Sequence, residues 1–248
     1  MTCANDFPGW IAHRGGGTLA PENTLAGMRL AARMGFRAVE FDVMLSADGS
    51  PYLLHDETLE RTTNGCGWMS ETPDAVLAQL DAGDGEPLPT FKQALALCAE
   101  LGLAANVEIK PASGFDLPTA AAVVAELQRW QAASLPAILP VILLSSFSLP
   151  ALRYVQATAP ALPRAVLFES LPEDWLTVAQ SLGAEGVHCD ADAVTQKQVQ
   201  AAVDRNIALR CYTVNDPERA KTLLAWGVSG MFTDRLDIFA EQARFDAR

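Results

Sequence analysis

Seven charged or titratable side chains in four short stretches carry chemistry in this sequence: His13 with Arg14, Glu40 with Asp42, His55, and Glu108 with Lys110. Glu40 and Asp42 stand two apart, as do Glu108 and Lys110. On an extended strand that spacing turns both side chains to one face. Charge on a buried strand face needs a partner or a metal. Glu40, Asp42 and Glu108 form an all-oxygen set, which suits a hard divalent cation such as Ca²⁺ or Mg²⁺. Without one, three neighbouring carboxylates repel and raise one another's pKa. The competing reading is a set of ion pairs with Arg14, Arg37 and Lys110. The cost of leaving buried charge unpaired favours the metal.

The sequence has three histidines. His13 and His55 both fall at expected strand ends beside the acidic set. Imidazole titrates near neutral pH and passes protons in both directions. One such histidine alone reads as structural; two beside a carboxylate cluster put a proton-transfer pair on equal footing. His188, at the end of a later strand, reads as a structural or supporting residue. Gly15-Gly16-Gly17 follows the first strand and precedes a helix, so its amides could hold phosphate oxygens. Arg14 could take a phosphate through its two-pronged guanidinium. Phe147 and Tyr212 stand at late strand ends, where aromatics either line a pocket or pack in the core.

The elements that must hold these residues alternate. Strand-like runs are expected at Trp10–His13, Ala38–Val43, Ala104–Ile109, Val141–Ser146, Ala165–Phe168, Gly186–His188, Ala208–Val214 and Gly230–Thr233. Several are continuous apolar runs, as in parallel strands buried on both faces. Helices are expected between them at Thr24–Met34, Phe91–Leu101, Leu117–Ala133, Leu149–Ala159, Pro172–Leu182, Gln196–Arg205 and Pro217–Trp226. Gly35, Gly102, Gly183 and Gly227 end four of these, and Thr195 with Gln198 reads as a capping box. Eight strands alternating with helices fit a closed β/α barrel, whose site lies at the C-terminal strand ends. Pro51–His55 breaks the rhythm. It follows the second strand after Asp48-Gly49, too soon for a parallel crossover, and so reads as an antiparallel return arm. Residues from about 45 to 89 then form an inserted cap within a single domain spanning 1–248.

Composition narrows the function. The chain has 248 residues, half of them hydrophobic, with a net charge of −12. That charge argues against nucleic-acid binding and against docking on anionic membranes. A small anionic substrate remains compatible, because a local cation inverts the field within one pocket. The five cysteines, Cys3, Cys66, Cys98, Cys189 and Cys211, are odd in number and lack a CxxC pair. They read as free thiols in a reducing compartment. Met1 to Gly9 lacks the basic and apolar regions of a signal peptide, which points to the cytosol. The apolar run Leu135 to Leu144 holds Pro136 and Pro140 and is too short for a membrane span.

Six strings together resemble one family. They are AHRGGGTLAPENTLAGM from Ala12, VEFDVMLSADGSPYLLHDETLERTTNG from Val39, ANVEIKP from Ala105, LLSSF from Leu143, CYTVN from Cys211 and GVSGMFTDR from Gly227. In this order they resemble the glycerophosphodiester phosphodiesterases, above all the short bacterial cytosolic members. The resemblance implies an irregular TIM (β/α)8 barrel with an insertion after the second strand. It implies hydrolysis of a glycerophosphodiester to sn-glycerol 3-phosphate and an alcohol. It makes His13 and His55 the acid/base pair, with His13 the first base. It makes Glu40, Asp42 and Glu108 the ligands of a divalent metal (Ca²⁺ or Mg²⁺), and Arg14 and Lys110 phosphate contacts. Tyr212 departs from the tryptophan of many members. The expected partner is a small-molecule glycerophosphodiester, with no nucleic acid and no stable membrane association; a homo-oligomer is left open. The rivals are a related phosphodiesterase acting on intact phospholipid and a non-catalytic metal-binding barrel.

Overall fold

A computed structural model of the chain describes residues 7–133 and 140–245. Cys3, most of the Met1–Gly9 stretch and the first half of the Leu135 to Leu144 run lie outside them.

Eight parallel strands close into a barrel: β1 (Trp10–Ala12), β2 (Ala38–Leu45), β4 (Ala104–Ile109), β5 (Ile142–Ser146), β6 (Arg164–Phe168), β7 (Gly186–Asp190), β8 (Ala208–Tyr212) and β9 (Gly230–Thr233). β1 pairs with both β2 and β9, which closes the ring. All eight residues of β2 are buried, Glu40 and Asp42 among them, as in a strand covered on both faces. β3 (Pro51–Leu53) is the exception: it runs back antiparallel along β2, with Val43 opposite Leu53 and Leu45 opposite Pro51. The expected return arm is thus present. Its turn places Gly49 at φ +78°, where glycine carries no steric penalty.

Helices α1 (Leu25–Met34), α3 (Phe91–Leu101), α4 (Asp116–Ala132), α5 (Leu149–Thr158), α6 (Trp175–Ser181), α7 (Gln196–Val203), α8 (Pro217–Trp226) and α9 (Leu236–Phe245) lie outside the barrel. Their ends follow local chemistry. Thr90 with Gln93, and Thr195 with Gln198, form reciprocal capping boxes on α3 and α7. Gly35, Gly102 and Gly227 take left-handed geometry at the ends of α1, α3 and α8. The sequence reading missed α9, which covers the bottom of β1 by stacking Phe239 on Trp10 at 4.3 Å.

The insertion carries one short α-helix, α2 (Asp74–Leu77), a 3-10 turn at Met69–Glu71 and its own apolar cluster. Met44, Tyr52, Leu54, Leu59, Met69, Leu77 and Leu88 pack together, apart from the main core between sheet and helices.

Candidate active site

The acidic cluster assembles as the strand spacing requires. β2 carries Glu40 and Asp42, β4 carries Glu108, and the register sets Asp42 beside Glu108. One oxygen from each of the three lies within 4.8 Å of the others. Cations reach this cluster unevenly. Lys110 Nζ stands 3.3 Å from Asp42 Oδ1 and 3.8 Å from Glu108 Oε1, and Arg14 Nε stands 3.8 Å from Asp42. Asn23 clamps Asp42 from the other side: its Nδ2 donates to Oδ2 at 2.9 Å, and its Oδ1 accepts from the Asp42 amide.

Burial raises the pKa of Asp42, but Lys110, His55, Arg14 and the Asn23 hydrogen bond outweigh it and hold the carboxyl below its ordinary value. Glu108 is the opposite case. Burial, reinforced by Asp42, pushes it up to about 8. Burial and then the charges of Asp42 and Glu108 raise Glu40 well above the usual carboxylate range. Glu108 Oε1 is buried with no hydrogen bond. Ionised together, the three would carry more negative charge than the surrounding side chains neutralise, and the donor set fits a divalent cation.

Each of the two histidines is held by its own carboxylate. His13 follows β1, and its Nδ1 donates to Asp234 Oδ1 at 2.7 Å, while its Nε2 faces Glu40 Oε2 at 3.9 Å. Asp234 is steadied by Asn215, whose Nδ2 donates to Oδ2 and whose Oδ1 accepts from the Asp234 amide. Burial raises the Asp234 pKa, but the His13 bond and charge outweigh it and keep the carboxyl below its ordinary value. His55 lies just past β3. The Leu54 amide bonds to the Asp42 carbonyl at 3.3 Å, extending the hairpin so that His55 arrives beside the cluster. Its Nδ1 donates to Asp56 Oδ1 at 2.6 Å. Burial lowers the His55 pKa, and the charge of Asp42 and the Asp56 bond offset this only in part. A carboxylate can only accept, so Nδ1 carries the hydrogen in both rings and leaves each Nε2 for the cavity.

The Gly15-Gly16-Gly17 turn does not offer its amides to a phosphate. Gly15 donates to the Glu40 carbonyl, Gly16 to that of Arg14 and Gly17 to that of His13. The glycines serve close packing instead. Gly17 sits at φ +55°, and a Cβ there would run into the Asp234 backbone. Arg14 also takes left-handed geometry, at φ +49°. Its amide is thereby aimed at Glu40 Oε2, while its side chain reaches Glu22 at 3.0 Å.

His13, Arg14, Glu40, Asp42, His55, Glu108 and Lys110 all line one cavity of about 710 Å³ at the C-terminal ends of the strands. Phe147 and Tyr212 line it too, edge to face at 6.2 Å. His188 belongs to its floor, fully buried, with its ring against Phe232 and beside Arg210. Burial and then the Arg210 charge hold His188 well below its ordinary pKa, so it stays neutral. Sequence reasoning had passed over Asn23, Asp56, Asn215 and Asp234. They stand in loops, where no periodicity marks a residue's direction. The signal for Asp56 and Asp234 was adjacency, since each lies within one residue of a strand end or of a histidine.

A model of the glycerophosphoryl diester phosphodiesterase family matches residues 13–238. The chain belongs to that family. Glycerophosphodiester phosphodiesterase of Bacillus subtilis is 30% identical over 92% of this chain and 84% of its own length. A second glycerophosphodiester phosphodiesterase, from Caldanaerobacter subterraneus, is 29% identical over 90% of this chain and 93% of its own. Among solved structures, a phosphodiesterase of Oleispira antarctica, determined with its product sn-glycerol 3-phosphate, superposes with a TM-score of 0.89. It is 35% identical and covers 96% of each chain. The activity is accordingly that of a phosphoric diester hydrolase acting on glycerophosphodiesters. The cavity lies at the C-terminal ends of the strands, where β/α-barrel enzymes carry their chemistry.

Proposed function

We propose that the whole chain acts as one catalytic unit that hydrolyses a glycerophosphodiester to sn-glycerol 3-phosphate and an alcohol. Glu40, Asp42 and Glu108 hold a divalent cation, Ca²⁺ or Mg²⁺, and His13 and His55 carry protons. The observation that supports this best is the pair of separate histidine–carboxylate couples bordering three clustered carboxylates in one cavity. When bound, the cation supplies positive charge against the phosphodiester and against charge that builds in the transition state. Arg14 and Lys110 add to it and orient the phosphate.

His13 Nε2 removes the proton of the glycerol 2-hydroxyl as that oxygen attacks phosphorus. The bond from phosphorus to the alcohol oxygen breaks, and His55 protonates the departing oxygen. Water then opens the cyclic phosphate: His55 takes the proton of water, and His13 returns its proton to the 2-oxygen. The resemblance assigns His13 as first base, which leaves His55 to protonate the leaving oxygen. The four free cysteines among the described residues accord with work in the cytosol, and no helix is long and apolar enough to cross a membrane among those residues.

The test is turnover of glycerophosphocholine with and without EDTA. We expect release of sn-glycerol 3-phosphate that stops on chelation and returns with Ca²⁺ or Mg²⁺. Full activity in metal-free protein sinks the metal assignment. Turnover of intact phospholipid in preference to the water-soluble diester redirects the substrate class.

A further inference from the structure

We infer that Arg61 and Glu22 are positioning residues that hold His55 in place for its proton transfer; the inference rests on the function proposed above. His55 is mounted differently from its counterpart. β3 stops at Leu53, so His55 sits on a loop of the insertion. His13 follows directly on a barrel strand, with its amide bonded to the Thr233 carbonyl at 3.0 Å.

A continuous ionic chain steadies the loop. His55 donates to Asp56 Oδ1. Arg61 grips both oxygens of Asp56, through Nε at 2.5 Å and Nη2 at 2.9 Å. The same guanidinium grips both oxygens of Glu22, through Nη1 at 2.7 Å and Nη2 at 2.9 Å. Glu22 Oε1 also accepts from Arg14 Nη1 at 3.0 Å. Asp56 and Arg61 belong to the insertion, whereas Glu22 and Arg14 belong to the loop after β1. The chain therefore ties the insertion to the barrel through one planar fork with a carboxylate on each side, a geometry only arginine supplies.

The two histidine couples differ in this respect. Asp234, behind His13, leans on the neutral amide of Asn215, while Asp56, behind His55, leans on a cation. Arg61 and Glu22 touch neither the acidic cluster nor the cavity centre: Arg61 is 46% exposed, and Glu22 faces Arg14 and Arg61. Their contribution passes through Asp56 on one side and Arg14 on the other. A displacement of about 1 Å at a proton carrier costs on the order of 10² in rate.

The experiment measures kcat and KM of Arg61→Ala, Arg61→Lys, Glu22→Gln, His55→Ala and Arg61→Ala with His55→Ala, each with its cation. Two substrates are compared: a glycerophosphodiester with a poor leaving alcohol and one with a nitrophenol leaving group. We expect Arg61→Ala to lose about 10²-fold in kcat on the poor leaving group. KM and melting temperature should stay near the unaltered values, and the loss on the nitrophenyl diester should be small. Arg61→Lys should recover part of the rate, since a single ammonium replaces one prong of the fork. Glu22→Gln should also raise KM, because Arg14 loses its carboxylate. The double variant should be no slower than His55→Ala. Wild-type kcat in Arg61→Ala, or a double variant that loses the product of the two single losses, overturns the tie while His55→Ala keeps its own large loss. If His55→Ala itself keeps full kcat, the proposed function fails and the tie fails with it.

Discussion

At the scale of single residues, the site works by contrast between groups of the same type. Glu40 and Glu108 are driven towards protonation by burial and mutual repulsion, while Asp42, two residues from Glu40, is kept ionised by Lys110 and Asn23. In metal-free protein Glu108 has a folded-state pKa of about 8, against an ordinary value of 4.5. The folded state then binds more protons at this site than the unfolded state between these values, so the Glu108 contribution to stability is fully present below about 4.5 and is lost as pH rises towards 8. Melting temperature in EDTA should therefore drop across that window, and Ca²⁺ or Mg²⁺ should flatten the slope by replacing the proton. A flat profile in EDTA would contradict the raised pKa.

Asp234 gives a second prediction at this scale. Its carboxylate obliges His13 to carry hydrogen on Nδ1. Asp234→Asn supplies an amide that can donate to Nδ1 and so favours the tautomer with no free Nε2. We expect kcat to fall about 10²-fold or more on both good and poor leaving groups, because the base is lost. Glu40, Asp42 and Glu108 were legible in the sequence because strand spacing fixes direction, and His13, Arg14, His55 and Lys110 because each stands within two residues of a strand end. Asp234 was not, because a loop residue has no such rule, although it stood within the resembling string GVSGMFTDR.

At the scale of elements, turns decide what the strands deliver. The β2–β3 hairpin was legible from Asp48-Gly49 and from a link too short for a crossover, and it brings His55 to Asp42. The triple glycine was misread: its amides were available in the sequence but are taken by the Glu40, Arg14 and His13 carbonyls in the fold. Gly17 and Gly49 separate the two meanings of glycine. Both have positive φ, but a Cβ at Gly49 meets nothing within 4 Å, whereas one at Gly17 meets the Asp234 backbone. Gly49→Ala should cost only the left-handed penalty, roughly 1–2 kcal/mol, and leave kcat intact. Gly17→Ala should lower melting temperature more and also reduce kcat, because it displaces Asp234 from His13. Equal effects of the two substitutions on kcat would break the argument. Among the helices, capping boxes and terminal glycines made most boundaries legible to within a few residues. Helix α9 escaped because it follows the last strand, after the alternation has already supplied eight.

At the scale of the whole molecule, the main core and the core of the insertion divide the labour. The barrel core fixes His13, the three carboxylates and the strand after which Lys110 stands. The smaller core of the insertion, centred on Leu54, Leu59, Met69 and Leu77, fixes the loop that carries His55. The proton carriers thus depend on different packing units, joined by the β2–β3 ladder and by polar ties across the cavity rim. That division yields a prediction that neither core alone would give. Met69 is fully buried in the smaller cluster, and Met69→Ala should cost about 2–5 kcal/mol of local packing. The barrel keeps its own contacts, so far-UV circular dichroism and cation binding should change little. Amide exchange should accelerate in residues 51–90, where the insertion opens more often. Turnover should fall in the pattern of a displaced His55: strongly on a diester with a poor leaving alcohol and weakly on a nitrophenyl diester. Loss of helical signal together with activity would instead mean that the two cores melt as one unit. Unchanged exchange with lowered turnover would mean that Met69 acts on the site by some route other than the insertion's packing.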